Sequence, residues 1–182
     1  MFVDHTVETA PDAGRKTIAA TEKRLGYLPA AVARLAEAPA LLDGFLKLSA
    51  MFEATSLDPL ARETVIMTMA TRNRCHICVA MHTAKLRQLD ADPALITALR
   101  DEKPLPDERL AALRDFTLAV LDTAGGVSDE ELTTFTSAGF TTRQALEVVL
   151  GIGAYTMSTL ANRLTRAPVD EPLAPFAWSP AT

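Results

Sequence analysis

The sequence predicts an all-α protein that folds as a multi-helix bundle. Apolar residues recur with helical periodicity along nearly the whole chain, and the breaks fall at proline, glycine and short polar clusters. The chain has 182 residues, of which 48% are apolar, and this is enough to bury a hydrophobic core. We therefore expect a single all-helical domain over residues 1–166, followed by a C-terminal tail over residues 167–182.

Local signals place the ends of several helices. Asp58 before Pro59 combines a side-chain acceptor at the N-cap with a φ already set for the first helical position. Ser128 followed by Glu131 has the spacing of a capping box, and Gly125–Gly126 offers the left-handed conformation that ends a helix. In chain order, the predicted helices span residues 10–25, 30–36, 39–54, 59–72, 75–89, 93–100, 107–124, 129–137 and 142–164.

The last part of the chain is rich in proline and is predicted to be an extended tail. Proline removes a backbone donor and fixes φ, so no helix of useful length is expected there. Phe176 and Trp178 are large apolar side chains, and we expect them to pack on their own domain or on a neighbouring subunit. The prolines concerned are Pro168, Pro172, Pro175 and Pro180.

The composition narrows the function classes. The net charge is -5 and both signs are interspersed, so the chain offers no continuous cationic surface for nucleic acid. The N-terminus shows no basic segment followed by an apolar run, and no stretch approaches the roughly 18 apolar residues of a membrane helix. We expect a cytoplasmic protein with no nucleic-acid or membrane partner. In a reducing compartment, two cysteines three positions apart are more often catalytic or metal-binding than structural.

The cysteines, Cys75 and Cys78, lie in the most informative segment. If Asn73 caps the following helix, Cys75 falls in its first turn and Cys78 just beyond it, and His82 shares their helix face. The unpaired N–H groups and the positive dipole end at a helix start stabilise a thiolate, which is the reactive form of cysteine. The spacing therefore predicts a reactive cysteine pair at the start of a helix.

Ionisable residues around the pair complete the predicted site. Arg72 and Arg74 add positive charge, and His82 can accept the proton as Cys78 ionises. If the chain turns near residue 73, two antiparallel helices bring Glu63 level with His82. Glu63 lies in a helix that is apolar nearly all round, and a buried carboxylate needs a partner. We therefore predict a relay from Glu63 through His82 to Cys78.

At this spacing the four residues resemble a known family. Cys75 follows Glu63 by twelve positions, Cys78 follows three further on, and His82 follows four beyond that. This pattern is similar to the signature of the alkyl hydroperoxidase D and carboxymuconolactone decarboxylase superfamily, in its peroxidase-related branch. The full spacing is specific, whereas a bare C-x-x-C would not be. The resemblance covers residues 41–89 well.

The resemblance implies a fold and a function. It implies an alkyl hydroperoxidase D-like helical domain, and a thiol peroxidase in which Cys78 attacks a hydroperoxide and Cys75 resolves the sulfenic acid as a disulfide. It further implies reduction by a disulfide-reducing protein, lipoyl-bearing or thioredoxin-like, and assembly as a homo-oligomer, often a trimer or hexamer. No metal or organic cofactor is implied. Residues 128–162 look like the second helical region of peroxidase-related members.

Other interpretations stay open at this point. The four residues could hold zinc, which accepts sulfur, nitrogen and oxygen ligands. The pair could instead be the switch of a non-catalytic redox-sensing oligomer, or the cysteines could be incidental in a decarboxylase-like or isomerase-like enzyme that uses Glu63 and His82 for acid–base chemistry. His76 is interpreted as a residue of the first turn, with tuning of Cys75 as the alternative. Asn162 and Arg163 are interpreted as a solvated helix end, with a pocket or interface as the alternative.

Overall fold

The computed structural model describes residues 2–180. Met1, Ala181 and Thr182, which include the start of the predicted domain and the end of the predicted tail, lie outside the described residues. Within residues 2–180 the chain forms α-helices and one 3₁₀ helix without any strand, so the all-α prediction is confirmed. The helices are α1 Asp12–Leu25, α2 Ala30–Leu35, α3 Pro39–Glu53, α4 Pro59–Arg72, α5 His76–Gln88, α6 Pro93–Arg100, α7 Glu108–Asp122, α8 Asp129–Ser137 and α9 Thr142–Thr165.

Helix α4 lies at the centre of the bundle. It packs against α5, α6, α7 and α9, and the residues from Glu63 to Thr71 are all buried. Burial on every side explains why this helix shows no polar face in the sequence. A second, smaller apolar cluster fills the space between α1, α2, α3 and the end of α9. The two clusters leave a pocket between them, which is described below.

The predicted helix caps at Asp58 and Ser128 are confirmed. Asp58 Oδ1 accepts a hydrogen bond from the Ala61 backbone N–H at 2.9 Å. Ser128 and Glu131 bond reciprocally as a capping box. Helix α7 ends at Asp122, slightly before the position expected from the glycine pair, and the chain then passes through left-handed conformations.

A glycine sets the distance between α3 and α9. A Cβ atom built on Gly151 would lie 2.6 Å from Cε2 of Phe52, and the Phe52 ring is fully buried. Only glycine at this position lets the Phe52 ring pack against the α9 backbone. This close approach brings the pocket faces of the two helices together.

The tail is not fully extended as predicted. Residues Glu171–Phe176 form a 3₁₀ helix in which Pro172 occupies the first turn, where its missing N–H is tolerated. Trp178 Nε1 donates to the Arg100 carbonyl at 2.9 Å, and the Arg100 guanidinium donates to the carbonyls of Phe176 at 3.0 Å and Ala177 at 2.8 Å. The tail therefore packs on its own domain. The division at residue 166 stays a prediction.

In residues 2–180, no helix combines the length and the apolar character needed to cross a bilayer.

Candidate active site

The turn between α4 and α5 positions the two cysteines. Asn73 does not cap α5 as predicted: it follows the end of α4, and its Nδ2 donates to Thr159 Oγ1 on α9 at 2.8 Å. Arg74 takes a left-handed conformation with φ 51°, and the Cys75 N–H then donates to the Ala70 carbonyl at 2.8 Å. Cys75 thus occupies the N-cap position of α5, without a side-chain cap. Both sulfurs consequently lie at the first turn, two positions closer to the helix start than a cap at Asn73 would place them.

Cys75 and Cys78 form a disulfide, with their Cα atoms 5.3 Å apart. The two residues are buried, at 0% and 3% exposure respectively. Only Cys78 lines the pocket described below. This difference gives the sulfurs unequal access to a small molecule, because a ligand in the pocket meets Cys78 while Cys75 lies behind it.

Glu63 and His82 meet across the α4–α5 hairpin. The distance from His82 Nδ1 to Glu63 Oε2 is 2.8 Å, and both side chains are largely buried. An ionised carboxylate can only accept, so Nδ1 carries the hydrogen of this bond and Nε2 is left as the basic nitrogen. His82 lines the same pocket as Cys78. Its imidazole can therefore exchange a proton with a ligand in the pocket or with the Cys78 thiol.

Tyr155 on α9 packs against the imidazole and was not foreseen from the sequence. Its ring meets the His82 ring edge to face, with centroids 5.4 Å apart, and its hydroxyl lies 3.3 Å from Ser49 Oγ. Burial raises the pKa of Tyr155 to about 12, so its hydroxyl stays protonated near neutral pH. Tyr155 therefore contacts His82 through its ring, while its hydroxyl lies near Ser49.

Asn162 on α9 contacts the sulfur of Cys78. Its Nδ2 lies 3.4 Å from Cys78 Sγ and 3.4 Å from Ser158 Oγ, and the residue is 3% exposed. The prediction of a solvated helix end is therefore wrong for Asn162. Arg163 is exposed and donates to the Asn73 carbonyl at 2.9 Å. A signal was present in the sequence, because Tyr155, Ser158 and Asn162 have i, i+3, i+7 spacing and so share one face of α9.

The predicted role of Arg72 is not supported. Its Nη2 lies 2.8 Å from Asp122 Oδ1, so its charge is offset by a carboxylate on α7. Arg74 is exposed in the turn. The groups around Cys78 that favour an anion are therefore the helix start and the Asn162 amide, rather than an arginine pair.

The pocket beside Cys78 has a volume of about 280 Å³ and is mainly apolar. It lies between α1, α2 and α3 on one side and α5 and α9 on the other. Exposed side chains of Arg24 and Glu53 stand at its rim. Its apolar wall is formed by Leu25, Pro29, Ala31, Val32, Leu35, Leu42, Phe45, Leu46, Ala50 and Met81.

The cysteine, histidine and glutamate side chains of this site are of types that can bind a metal ion. In the part of the chain that the structure describes, residues 2–180, the His, Cys, Asp and Glu side chains form no group of three that could hold a metal ion. The two thiols that a zinc site would need are bonded to each other.

The sequence around this site matches a family model. Residues 36–103 match the model of the carboxymuconolactone decarboxylase family. The matched residues make up less than half of the chain. The segment contains Glu63, both cysteines and His82, which are the residues that carried the predicted resemblance, and that prediction is confirmed. Comparison with curated proteins gives no match.

Solved structures show the same fold over most of this chain. A peroxidase-related protein with an alkylhydroperoxidase AhpD core, from Ralstonia eutropha JMP134, has a TM-score of 0.81 at 20% identity, over 94% of this chain and 93% of that chain. A peroxidase-related protein from Silicibacter sp. TM1040 has a TM-score of 0.75 at 22% identity, over 94% of this chain and 92% of that chain. The debrominase Bmp8, in complex with 2,3,4-tribromopyrrole, has a TM-score of 0.67 at 14% identity, over 88% and 87% of the two chains. The predicted alkyl hydroperoxidase D-like fold is confirmed.

Proposed function

We propose that this chain is a thiol-dependent peroxidase that reduces alkyl hydroperoxides or hydrogen peroxide through Cys75 and Cys78. The observation that carries the proposal is the position of Cys78, which shares a pocket with His82 and lies within disulfide distance of a second cysteine. The match of residues 36–103 to the carboxymuconolactone decarboxylase family model and the peroxidase-related fold neighbours support a redox role.

The proposed cycle begins with the reduced pair. His82 takes the proton of Cys78, and the thiolate attacks the terminal oxygen of the hydroperoxide. The S–O bond forms as the O–O bond breaks, which gives a sulfenic acid on Cys78 and an alkoxide. The alkoxide receives the proton held by His82 and leaves as the alcohol, while Glu63 stabilises the imidazolium during the transfer.

Cys75 then closes the cycle on the protein side. Its thiol attacks the Cys78 sulfenic acid, and water leaves as the disulfide forms. An external dithiol reduces this disulfide and is itself oxidised. Because both sulfurs are buried, the reducing dithiol must be carried on a thin, flexible group, such as the lipoyl arm of a protein. A thioredoxin-like partner would instead need the start of α5 to open locally. The cycle uses no metal or organic cofactor, and a reducing compartment such as the cytoplasm would supply the electrons.

The test is a stopped-flow titration of the reduced protein with hydrogen peroxide and with an organic hydroperoxide, followed by mass spectrometry. We expect one peroxide consumed per disulfide formed. Cys78→Ser should abolish consumption, and Cys75→Ser should accumulate a sulfenic acid on Cys78 after one turnover. Wild-type rates in both variants would contradict the proposal.

The same variants separate the other interpretations. A redox sensor would form the disulfide and change its oligomeric state or binding without sustained turnover in the presence of a dithiol. An acid–base enzyme would keep its activity on a carbon acid after both cysteines become serine, and would lose it in His82→Ala. Either outcome would replace the peroxidase assignment.

A further inference from the structure

The Asn162 amide lines the pocket, and one of its two polar atoms lacks a hydrogen-bond partner among the described residues. Its Nδ2 has two neighbours, Cys78 Sγ and Ser158 Oγ, whereas its Oδ1 is buried and has no hydrogen-bond partner within residues 2–180. A buried acceptor without a donor costs free energy, so its presence in a packed interior calls for a ligand or water that donates to it. The residue lines the pocket, which is where such a donor can arrive.

We propose that Asn162 is a positioning residue that binds the Cys78 thiolate through Nδ2 and accepts a hydrogen bond from the terminal O–H of the hydroperoxide through Oδ1. The second half of this inference rests on the proposed function. The first half does not, because it concerns the reduced sulfur alone.

The electrostatics of the site favour the first half. Arg72 is paired with Asp122, so besides the His82 imidazolium that forms as Cys78 ionises, the anion depends on uncharged donors such as the Asn162 amide. A hydrogen bond to an ionised acceptor is shorter and stronger than one to a neutral acceptor, and the Nδ2–H bond to sulfur therefore strengthens when the disulfide opens to a thiolate. The bond thus favours the reactive form of Cys78.

The chemistry of the substrate favours the second half. The terminal oxygen of a hydroperoxide, which the thiolate attacks, carries a hydrogen and is a donor. Nδ2 of Asn162 contacts Cys78 Sγ, and Oδ1 belongs to the same amide. A hydrogen bond from the terminal O–H to Oδ1 therefore holds the terminal oxygen beside Sγ. During the attack the O–O bond breaks, the terminal oxygen transfers to sulfur with its hydrogen, and the proton from His82 goes to the departing oxygen. One planar side chain thereby aligns the nucleophile and the electrophile.

Two substitutions of Asn162 separate the two roles. Asn162→Asp keeps the shape and an acceptor but replaces the donor by a negative charge. Asn162→Leu keeps the approximate size and removes both. Thr165→Val serves as the matched control, because it removes a buried hydroxyl one turn further along α9, which bonds only to the α9 backbone, without altering the pocket lining.

The first measurement uses methyl methanethiosulfonate, which has no hydrogen-bond donor, on each variant in a Cys75→Ser background. The thiolate displaces methanesulfinate from this reagent, so the rate reports the ionised fraction of Cys78. Below the midpoint of the rate–pH curve, we expect Asn162→Asp and Asn162→Leu to react about tenfold more slowly and their midpoints to move to higher pH. The Thr165→Val curve should match that of the parent. Unchanged curves in both Asn162 variants would overturn the thiolate role.

The second measurement uses cumene hydroperoxide at a pH above every midpoint, where all Cys78 is ionised. We expect Asn162→Leu to lose about tenfold in the rate of sulfenic acid formation, and Asn162→Asp to lose less because it keeps the acceptor. Rates with methanethiosulfonate at this pH should differ between variants by no more than about threefold, which is the change in thiolate nucleophilicity that a one-unit shift of the thiol pKa brings. Equal hydroperoxide rates in Asn162→Leu and the parent would overturn the substrate role, whereas a parent that does not react with any hydroperoxide would overturn the proposed function and leave the thiolate result standing.

Discussion

The Nδ1 atom of His82 lies 2.8 Å from Oε2 of Glu63, so a carboxylate on α4 fixes the orientation of an imidazole on α5. Glu63 is 6% exposed and makes this contact inside the bundle. With Nδ1 in this contact, Nε2 is the imidazole nitrogen that the proposed cycle uses as the base.

Glu63→Gln is expected to lower peroxidase turnover by about 10- to 100-fold, because a neutral amide does not stabilise the imidazolium formed as Cys78 ionises. Initial rates with an organic hydroperoxide and an excess of dithiol measure this loss. Glu22→Gln makes the same chemical change on the exposed surface of α1 and should retain the parent rate. Parent-like turnover in Glu63→Gln would show that the relay does not operate.

Tyr155→Phe should leave the pH dependence of turnover unchanged below about pH 10. The phenol has a pKa of about 12, so its ionisation plays no part in that range, and phenylalanine keeps the edge-to-face contact with His82. Tyr155→Ala removes the ring and should cost about 3–5 kcal/mol of unfolding free energy together with most of the activity. A pH profile displaced by Tyr155→Phe would assign the hydroxyl a role in proton transfer.

Gly151→Ala is expected to destabilise the fold by about 1–3 kcal/mol, because its Cβ would overlap the buried Phe52 ring. Urea unfolding followed by circular dichroism gives this difference. Gly44→Ala is the control: it lies inside α3 with open space around the added methyl, and it should stabilise the fold by up to about 1 kcal/mol through helix propensity. Equal effects of the two substitutions would contradict the close packing of α3 on α9.

Asp58 should contribute stability that depends on pH. Burial raises the pKa of its carboxyl, but the hydrogen bonds from Ala61 and Arg109 outweigh burial and hold the pKa below the ordinary value of 3.8. A lowered folded-state pKa means that this contribution is complete above about pH 4 and is lost as the pH falls through the folded-state value. Asp58→Ala should cost about 0.5–2 kcal/mol at neutral pH. The difference from the parent should narrow in unfolding experiments below pH 4, and a constant difference would contradict the charge contribution.

The exposed apolar face of α9 leads us to propose self-association, in line with the oligomer expected from the sequence. Four apolar side chains of this helix are about half exposed or more: Leu146, Val149, Leu160 and Leu164. Their separations of 3, 11 and 4 residues place them along one side of the helix. A second copy of the chain packed on this side would cover them. Light scattering after size exclusion should show an oligomer that the double variant Leu160→Lys, Leu164→Lys disrupts. A monomeric parent at micromolar concentration would contradict this expectation.

The helices could be predicted closely because their signals are local. Asp58 with Pro59, and Ser128 with Glu131, specify helix starts within four residues of chain, and the structure places both as expected. The Glu63–His82 contact was also predictable, because a hairpin with a known turn fixes which residues face each other. The chain reverses near residue 73, and this reversal brings Glu63 and His82 to the same level of the two helices.

The rest of the site depends on contacts that are distant in sequence. Asn162 reaches Cys78 across 84 positions, and Asn73 bonds to Thr159 instead of capping the neighbouring helix. Nothing in the local pattern distinguishes a polar residue that contacts a sulfur from one that is solvated at a helix end. Likewise, the pairing of Arg72 with Asp122 depends on how α7 packs on α4.

The contact between Arg100 and the C-terminal residues bears on how the chain can be shortened or fused. The Arg100 guanidinium donates hydrogen bonds to Thr83 Oγ1 on α5 and to the Phe176 and Ala177 carbonyls. One side chain thus connects the last turn of α6 to α5 and to the C-terminal segment. A stop codon after Ala167 would remove two of these three acceptors and the Trp178 indole with them. A shortened or fused form of the chain therefore needs residues 176–178 in place to preserve this support of the helix that carries Cys78.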